Sequence, residues 1–126
     1  MEDIIYGSEL EVLKILWDEG AMLAKDLANK LKETVNWKRT TSYTVIRKCI
    51  EKGLVAREKD DFVCRVLITR EEAQEREARI LTAKMFDGCS DSLIASLLGN
   101  SKMTTRQIEL LRVVVEEFST SSEEEN

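Results

Sequence analysis

The sequence predicts a mainly α-helical chain carrying one small β-hairpin, and three observations support this. There is no proline among 126 residues and only five scattered glycines, so little interrupts a helix. Apolar residues recur at three- and four-residue steps through most of the chain. Two short apolar runs, residues 54–58 and 62–68, flank the polar turn Lys59-Asp60-Asp61, the pattern of two strands and their connection.

The first helix opens at Ser8, where Ser8-x-x-Glu11 has capping-box spacing. Leu10, Leu13, Leu16 and Trp17 mark its buried face through about Asp18, and Gly20 ends it in a left-handed cap. A second helix spans about residues 23–33 with Ala24, Leu27, Ala28 and Leu31 inward; Leu23 offers no capping acceptor, and Asn36 is the better cap for the helix after it. The third helix, about 39–52 and closed by Gly53, turns Val45, Ile46, Cys49 and Ile50 inward. Its opposite face carries Lys38, Thr41, Tyr43, Thr44, Arg47 and Lys48. Three helices followed by a hairpin is the winged helix-turn-helix order, in which the third helix is offered to the DNA major groove.

Beyond the hairpin the pattern is helical. Thr69-x-x-Glu72 opens a long helix to about Asp87, stopped by Gly88. Residues 91–98 form a short apolar helix ended by Gly99-Asn100. Thr104-x-x-Gln107 opens a last helix in which Ile108, Leu111, Val115 and Phe118 recur on one line. The expected organisation is a winged-helix DNA-binding domain at 1–68, a helical dimerisation region at 69–118 and a disordered acidic tail at 119–126.

Several function classes are disfavoured. Histidine is absent, which removes the commonest general base and metal ligand, and no glycine-rich phosphate loop occurs. No catalytic residue, metal ligand or cofactor is therefore nominated, and the chain is expected not to be an enzyme. Cys49, Cys64 and Cys89 lack C-x-x-C spacing and are read as small apolar residues or idle thiols. No apolar run approaches membrane-spanning length and the start is acidic, so the expectation is a cytoplasmic protein without membrane insertion.

Net charge is −5, yet its distribution matters more than its sum. Residues 36–59 hold seven basic and two acidic side chains, whereas from Thr69 onward seven basic face twelve acidic. A basic middle beside an acidic C-terminal part suits a DNA-facing module carried on an oligomerising one.

The sharpest feature is the third-helix face. Lys38, Arg39, Arg47 and Lys48 suit phosphates or guanine edges, and Thr40, Thr41, Ser42 and Thr44 suit phosphates, bases and thymine methyls. Threonines are indifferent helix formers that a merely solvated face would not favour, which weighs toward contact. In the hairpin Arg57, Lys59 and Arg65 can reach phosphates, but Asp60 and Asp61 oppose this, leaving a positioning role. Trp17 and Trp37 are read as core.

The C-terminal helices carry more apolar surface than they can bury among themselves. A two-fold dimer through Leu81, Met85, Phe86, Leu93, Leu97, Ile108, Leu111 and Val115 is preferred over a monomeric appendage packed on the first domain. Such a dimer would hold two recognition helices at the spacing of a palindromic operator in double-stranded DNA. Two other readings stay open: a winged-helix protein-interaction module gripping an acidic partner, and a repressor sensing a small molecule in a pocket between its parts.

Residues 9–17 (E-L-E-V-L-K-I-L-W), 24–27 (A-K-D-L) and 37–53 (W-K-R-T-T-S-Y-T-V-I-R-K-C-I-E-K-G) together resemble the penicillinase-repressor family (BlaI/MecI/CopY). Its pattern reads E-x-E-V-M-x-x-x-W, then T-A-K-E-[IL], then W-S-x-x-T-[VI]-x-T-L-[LI]-x-R-L-x-x-K-G. The resemblance continues through 84–88, 92–95 and 108–111, covering roughly residues 8–118. It implies a dimeric repressor with DNA contacts from Lys38, Thr41, Thr44 and Lys48. It also implies a partner protease, such as a membrane metallopeptidase sensor, that releases the operator by cleavage. The staphylococcal Asn-Phe cleavage bond aligns with Ser96-Leu97. Departures are Leu23 for a threonine, Lys38 for a serine, Ser42 for an aliphatic and Cys49 for a leucine. The copper-type C-x-C hook is absent.

Overall fold

The computed structural model describes residues 4–58, 61–100 and 103–125, with side chains at 4–58, 61–99 and 103–117. Lys59 and Asp60 of the expected turn, and the side chain of Phe118, lie outside the described residues.

Helix α1 (Gly7–Glu19) is more deeply embedded than a single apolar stripe implies. Val12, Leu13, Ile15 and Leu16 are all buried, because the helix packs against other elements on several sides, while Leu10 and Trp17 are half-buried. Its cap also differs from the expected Ser8-x-x-Glu11 box. Tyr6 is the N-cap residue, and its N–H donates to Glu9 Oε1 at 2.8 Å, so the start lies two residues earlier. Gly20 ends the helix at φ 85°, a conformation that side chains with a Cβ resist.

The next two residues, Met22–Leu23, form a strand, β1, that the sequence pattern does not reveal. It exists because the second strand of the hairpin has a free edge. β2 (Val55–Glu58) and β3 (Val63–Val66) pair antiparallel with Val55 opposite Val66, and β1 adds to β3 with Met22 opposite Cys64. The sheet order is β1-β3-β2.

Helix α2 (Ala24–Val35) buries Ala24, Leu27, Ala28 and Leu31, as its periodicity predicts. Asn36 does not cap the following helix; it is the left-handed C-cap of α2, at φ 56°, and Lys38 occupies the N-cap of α3 (Arg39–Glu51). Asparagine tolerates that left-handed turn better than most residues. From α3, Val45, Ile46 and Cys49 join Leu13, Leu16, Leu27, Leu31, Leu54, Val55 and Cys64 in one core. Trp17 and Trp37 lie half-buried against it, as expected. Burial pushes the Cys49 thiol up to about 12 and Cys64 up to about 11, so both are neutral apolar fillers.

Helix α4 (Arg70–Met85) begins at the expected box: Glu72 N–H donates to Thr69 Oγ1 at 3.0 Å, and Thr69 N–H to Glu72 Oε1 at 3.4 Å. Trp17 Nε1 donates to Ile68 O at 2.8 Å and Arg70 pairs with Asp18 at 2.8 Å, tying the root of α4 to α1. α5 (Ser90–Asn100) runs through Gly99, which does not end it. α6 (Thr105–Glu125) starts at the expected box of Thr104 and Gln107, and its helical backbone continues into the segment read as a disordered tail, where no proline or glycine stops it. Along α4 only Ala73 and Thr82 are buried.

Candidate nucleic-acid interface

The exposed side of α3 presents Lys38, Arg39, Thr40, Thr41, Thr44, Arg47 and Lys48 together. The geometry follows from helix periodicity, since the opposite side is committed to the core. No acidic residue occupies the first turn, so the free N–H groups at the start of α3 and the neighbouring cations reinforce one another toward an anion. Thr44 Oγ1 donates to Thr40 O at 2.9 Å, which turns its remaining lone pairs and methyl outward.

Tyr43 is placed differently from the rest of that group. It is half-buried, with its ring edge-on to Phe62 at 6.1 Å, and its hydroxyl accepts from Arg39 Nη2 at 3.5 Å. Arg57 lies over Phe62 at 4.1 Å. Arg39, Tyr43, Phe62 and Arg57 thus form a continuous stack from the start of α3 to the hairpin, setting the wing beside the helix. The sequence pattern does not place Phe62 in this surface, because its position depends on a left-handed backbone (φ 47°) at the turn that its residue type does not announce. Its carbonyl also accepts from Ala24 N–H at 2.9 Å, drawing the start of α2 to the same place.

Ser42 is not on the exposed face. It is fully buried, and its Oγ has no hydrogen-bond partner. The signal was present in the spacing, since 42, 45, 46 and 49 make one inward three-four rhythm. In the wing, Arg65 is exposed but already paired with Glu58 across the hairpin; that hydrogen bond and charge raise its pKa.

The side chains nominated for dimerisation lie on α4, α5 and α6 and the turn after α4. Leu81, Met85, Leu97, Ile108 and Val115 are exposed, and Phe86, Leu93 and Leu111 half-buried. Ser96 and Leu97 sit within the helical backbone of α5. Cys89 is exposed before α5, and a hydrogen bond with Ser92 lowers its pKa. No helix among the described residues is long and apolar enough to cross a membrane.

The chain is similar to known proteins over most of its length. The family model described as penicillinase repressor matches residues 6–117. The penicillinase repressor of Bacillus licheniformis is 24% identical over 122 residues, covering 95% of each chain. The methicillin resistance regulatory protein MecI of Staphylococcus aureus (strain N315) is 22% identical over 113 residues, 88% of this chain and 92% of that protein. Among solved structures, the DNA binding domain of the repressor BlaI superposes with a TM-score of 0.51 at 26% identity, over 57% of this chain and 93% of that domain.

Proposed function

Because the chain belongs to the penicillinase repressor family, we propose that it acts as a homodimer that holds a palindromic operator and blocks transcription from it. The observation that carries this reading is the exposed basic, hydroxyl-rich face of α3, whose first turn is free of acidic residues. In the proposed complex α3 lies in the major groove. Lys38, Arg39, Arg47 and Lys48 contact phosphates or guanines, and Thr40, Thr41 and Thr44 meet bases and phosphates. The stack from Arg39 to Arg57 holds the wing beside the adjacent backbone.

Dimerisation is supported by the apolar side chains exposed on α4, α5 and α6, each of which would contribute roughly 1.5–3 kcal/mol if fully buried against a second copy. Joining two reading heads converts the second half-site contact into an intramolecular one, which can raise affinity by about 10²–10⁴-fold. Release by proteolysis fits this scheme, since cutting α5 would divide the dimerising part. The Ser96-Leu97 bond lies inside a helix, so a protease would first have to unwind that segment.

The test is a mobility-shift titration on duplexes tiling the promoter of the chain's own gene. The expected result is one preferred duplex, bound with an affinity that falls linearly in log–log coordinates as salt rises. Equal binding to scrambled duplexes, or none at low salt, would end this reading.

A further inference from the structure

Residues 4–6 form a strap between the two parts of the chain. On one side is Lys52, the C-cap residue of α3. Its Nζ donates to Ile4 O at 2.9 Å and to Glu9 Oε1 at 2.8 Å, and lies 4.3 Å from the centre of the Tyr6 ring. Glu9 is itself almost wholly buried, and Oε1 also accepts the Tyr6 N–H, so the lysine is held by several fixed groups. On the other side, the Ile5 N–H donates to Glu77 Oε1 on α4. Successive residues of one short segment therefore bond the end of the reading helix and the first helix of the C-terminal part.

Between that bond and the root of α4, apolar packing is incomplete. Ile5, Leu10, Trp17, Ala73 and Glu77 surround an open cavity of about 360 Å³ between α1 and α4, so close packing does not fix the angle there. The Trp17–Ile68 and Arg70–Asp18 bonds pin the root of the helix, and buried Ala73 packs one turn beyond them. Glu77 is two turns beyond that root, and its bond to Ile5 ties α4 to the strap on the far side of the cavity.

We infer that Glu77 is a positioning residue for operator spacing: through the strap it locks the angle between α3 and α4, and so sets the separation at which a dimer reads two half-sites. This rests on the dimeric reading above. Each base pair inserted between half-sites moves the far one by about 3.4 Å and rotates it by about 35°, following the helical repeat of DNA. A reading head tied to α4 through the strap resists that displacement, whereas one that has lost the Glu77 tie follows it more readily.

The experiment is binding-site selection from a random duplex pool with the full chain, its Glu77→Ala variant and its Glu77→Gln variant. Affinity for a duplex carrying one half-site is measured alongside. Wild type should select one half-site separation. Glu77→Ala should also select separations one base pair away, with the penalty for the wrong spacing reduced roughly tenfold, as loss of one hydrogen bond to a charged acceptor implies. Glu77→Gln keeps an oxygen that accepts from Ile5 and should restore the single spacing. Affinity for one half-site should change less than about twofold, since no DNA-facing group is altered. The same single separation for Glu77→Ala overturns the inference, as does a large loss of half-site affinity, which would assign Glu77 to the fold instead. A wild-type pool without paired half-sites would end the dimeric reading, and the inference with it.

Discussion

In the winged-helix body, Leu13, Leu27, Leu31 and Ile46 are completely buried; on the C-terminal helices Met85 is 64% exposed, Leu97 59% and Val115 54%. The residue types are the same and their use is opposite. The first part closes its core within one chain, from three helices and the strands. The second carries apolar faces that find no cover among the described residues. Stability of the body is therefore an intramolecular property, whereas order in the C-terminal part should depend on protomer concentration, as for any interface that binds only the folded state.

That contrast can be broken most sharply in the body. Leu27→Ala should lower unfolding free energy by about 3 kcal/mol in urea melts, at every protein concentration, because it empties a fully enclosed site. A loss under about 1 kcal/mol would mean that this core is loosely packed.

The paired change Met85→Ser with Leu97→Ser should do the reverse. The melt of the winged helix should stay in place, while sedimentation should show monomers at concentrations where the proposed wild-type dimer forms. Operator affinity should fall by about 10²-fold with the loss of bivalent contact. A variant that stays dimeric would place the interface elsewhere.

Smaller effects separate the two sides of α3. Thr41→Ala with Thr44→Ala should cost about 1–2 kcal/mol of discrimination between operator and random duplex, with stability nearly unchanged. A module gripping an acidic partner by charge alone would not respond. Ser42→Ala, one residue away, should leave DNA binding alone and be neutral or stabilising by about 1 kcal/mol, since it removes an unpaired buried hydroxyl.

The smallest effect at neutral pH concerns the thiols. Iodoacetamide should label Cys89 in the native protein and reach Cys49 and Cys64 only after unfolding, as mass spectrometry of peptides would show. The raised folded-state values have a signed consequence. Their contribution to stability is fully present below the ordinary thiol value of 9.0 and is lost as pH rises through about 11 for Cys64 and about 12 for Cys49. Urea midpoints should accordingly decline above pH 9, and less steeply when Cys49 is replaced by Ala. A midpoint that stays flat across that range would contradict this.

Much of the fold and most of the exposed face of α3 were legible in the sequence by itself. Thr69 with Glu72 and Thr104 with Gln107 cap their helices as the spacing implies, because both partners lie within one turn of each other. The inward stripes of α2 and α3, the hairpin and the exposed row from Lys38 to Lys48 were equally readable, since helical period and chain direction decide which side each residue faces. Even the burial of Ser42 was written in that period, though its hydroxyl suggested otherwise.

Tertiary structure alone decided the rest. Met22–Leu23 is a strand only because β3 brings a free edge from forty residues away. Tyr43 became a spacer between helix and wing once Phe62 arrived beside it, and buried Glu9 and half-buried Lys52, 43 positions apart, became an ion pair. Such contacts leave no local pattern, because which distant groups meet is set by how the helices collapse onto one another. Local spacing determined which face of α3 is exposed and basic; the strap that joins the end of that helix to α4 had to wait for the packed chain.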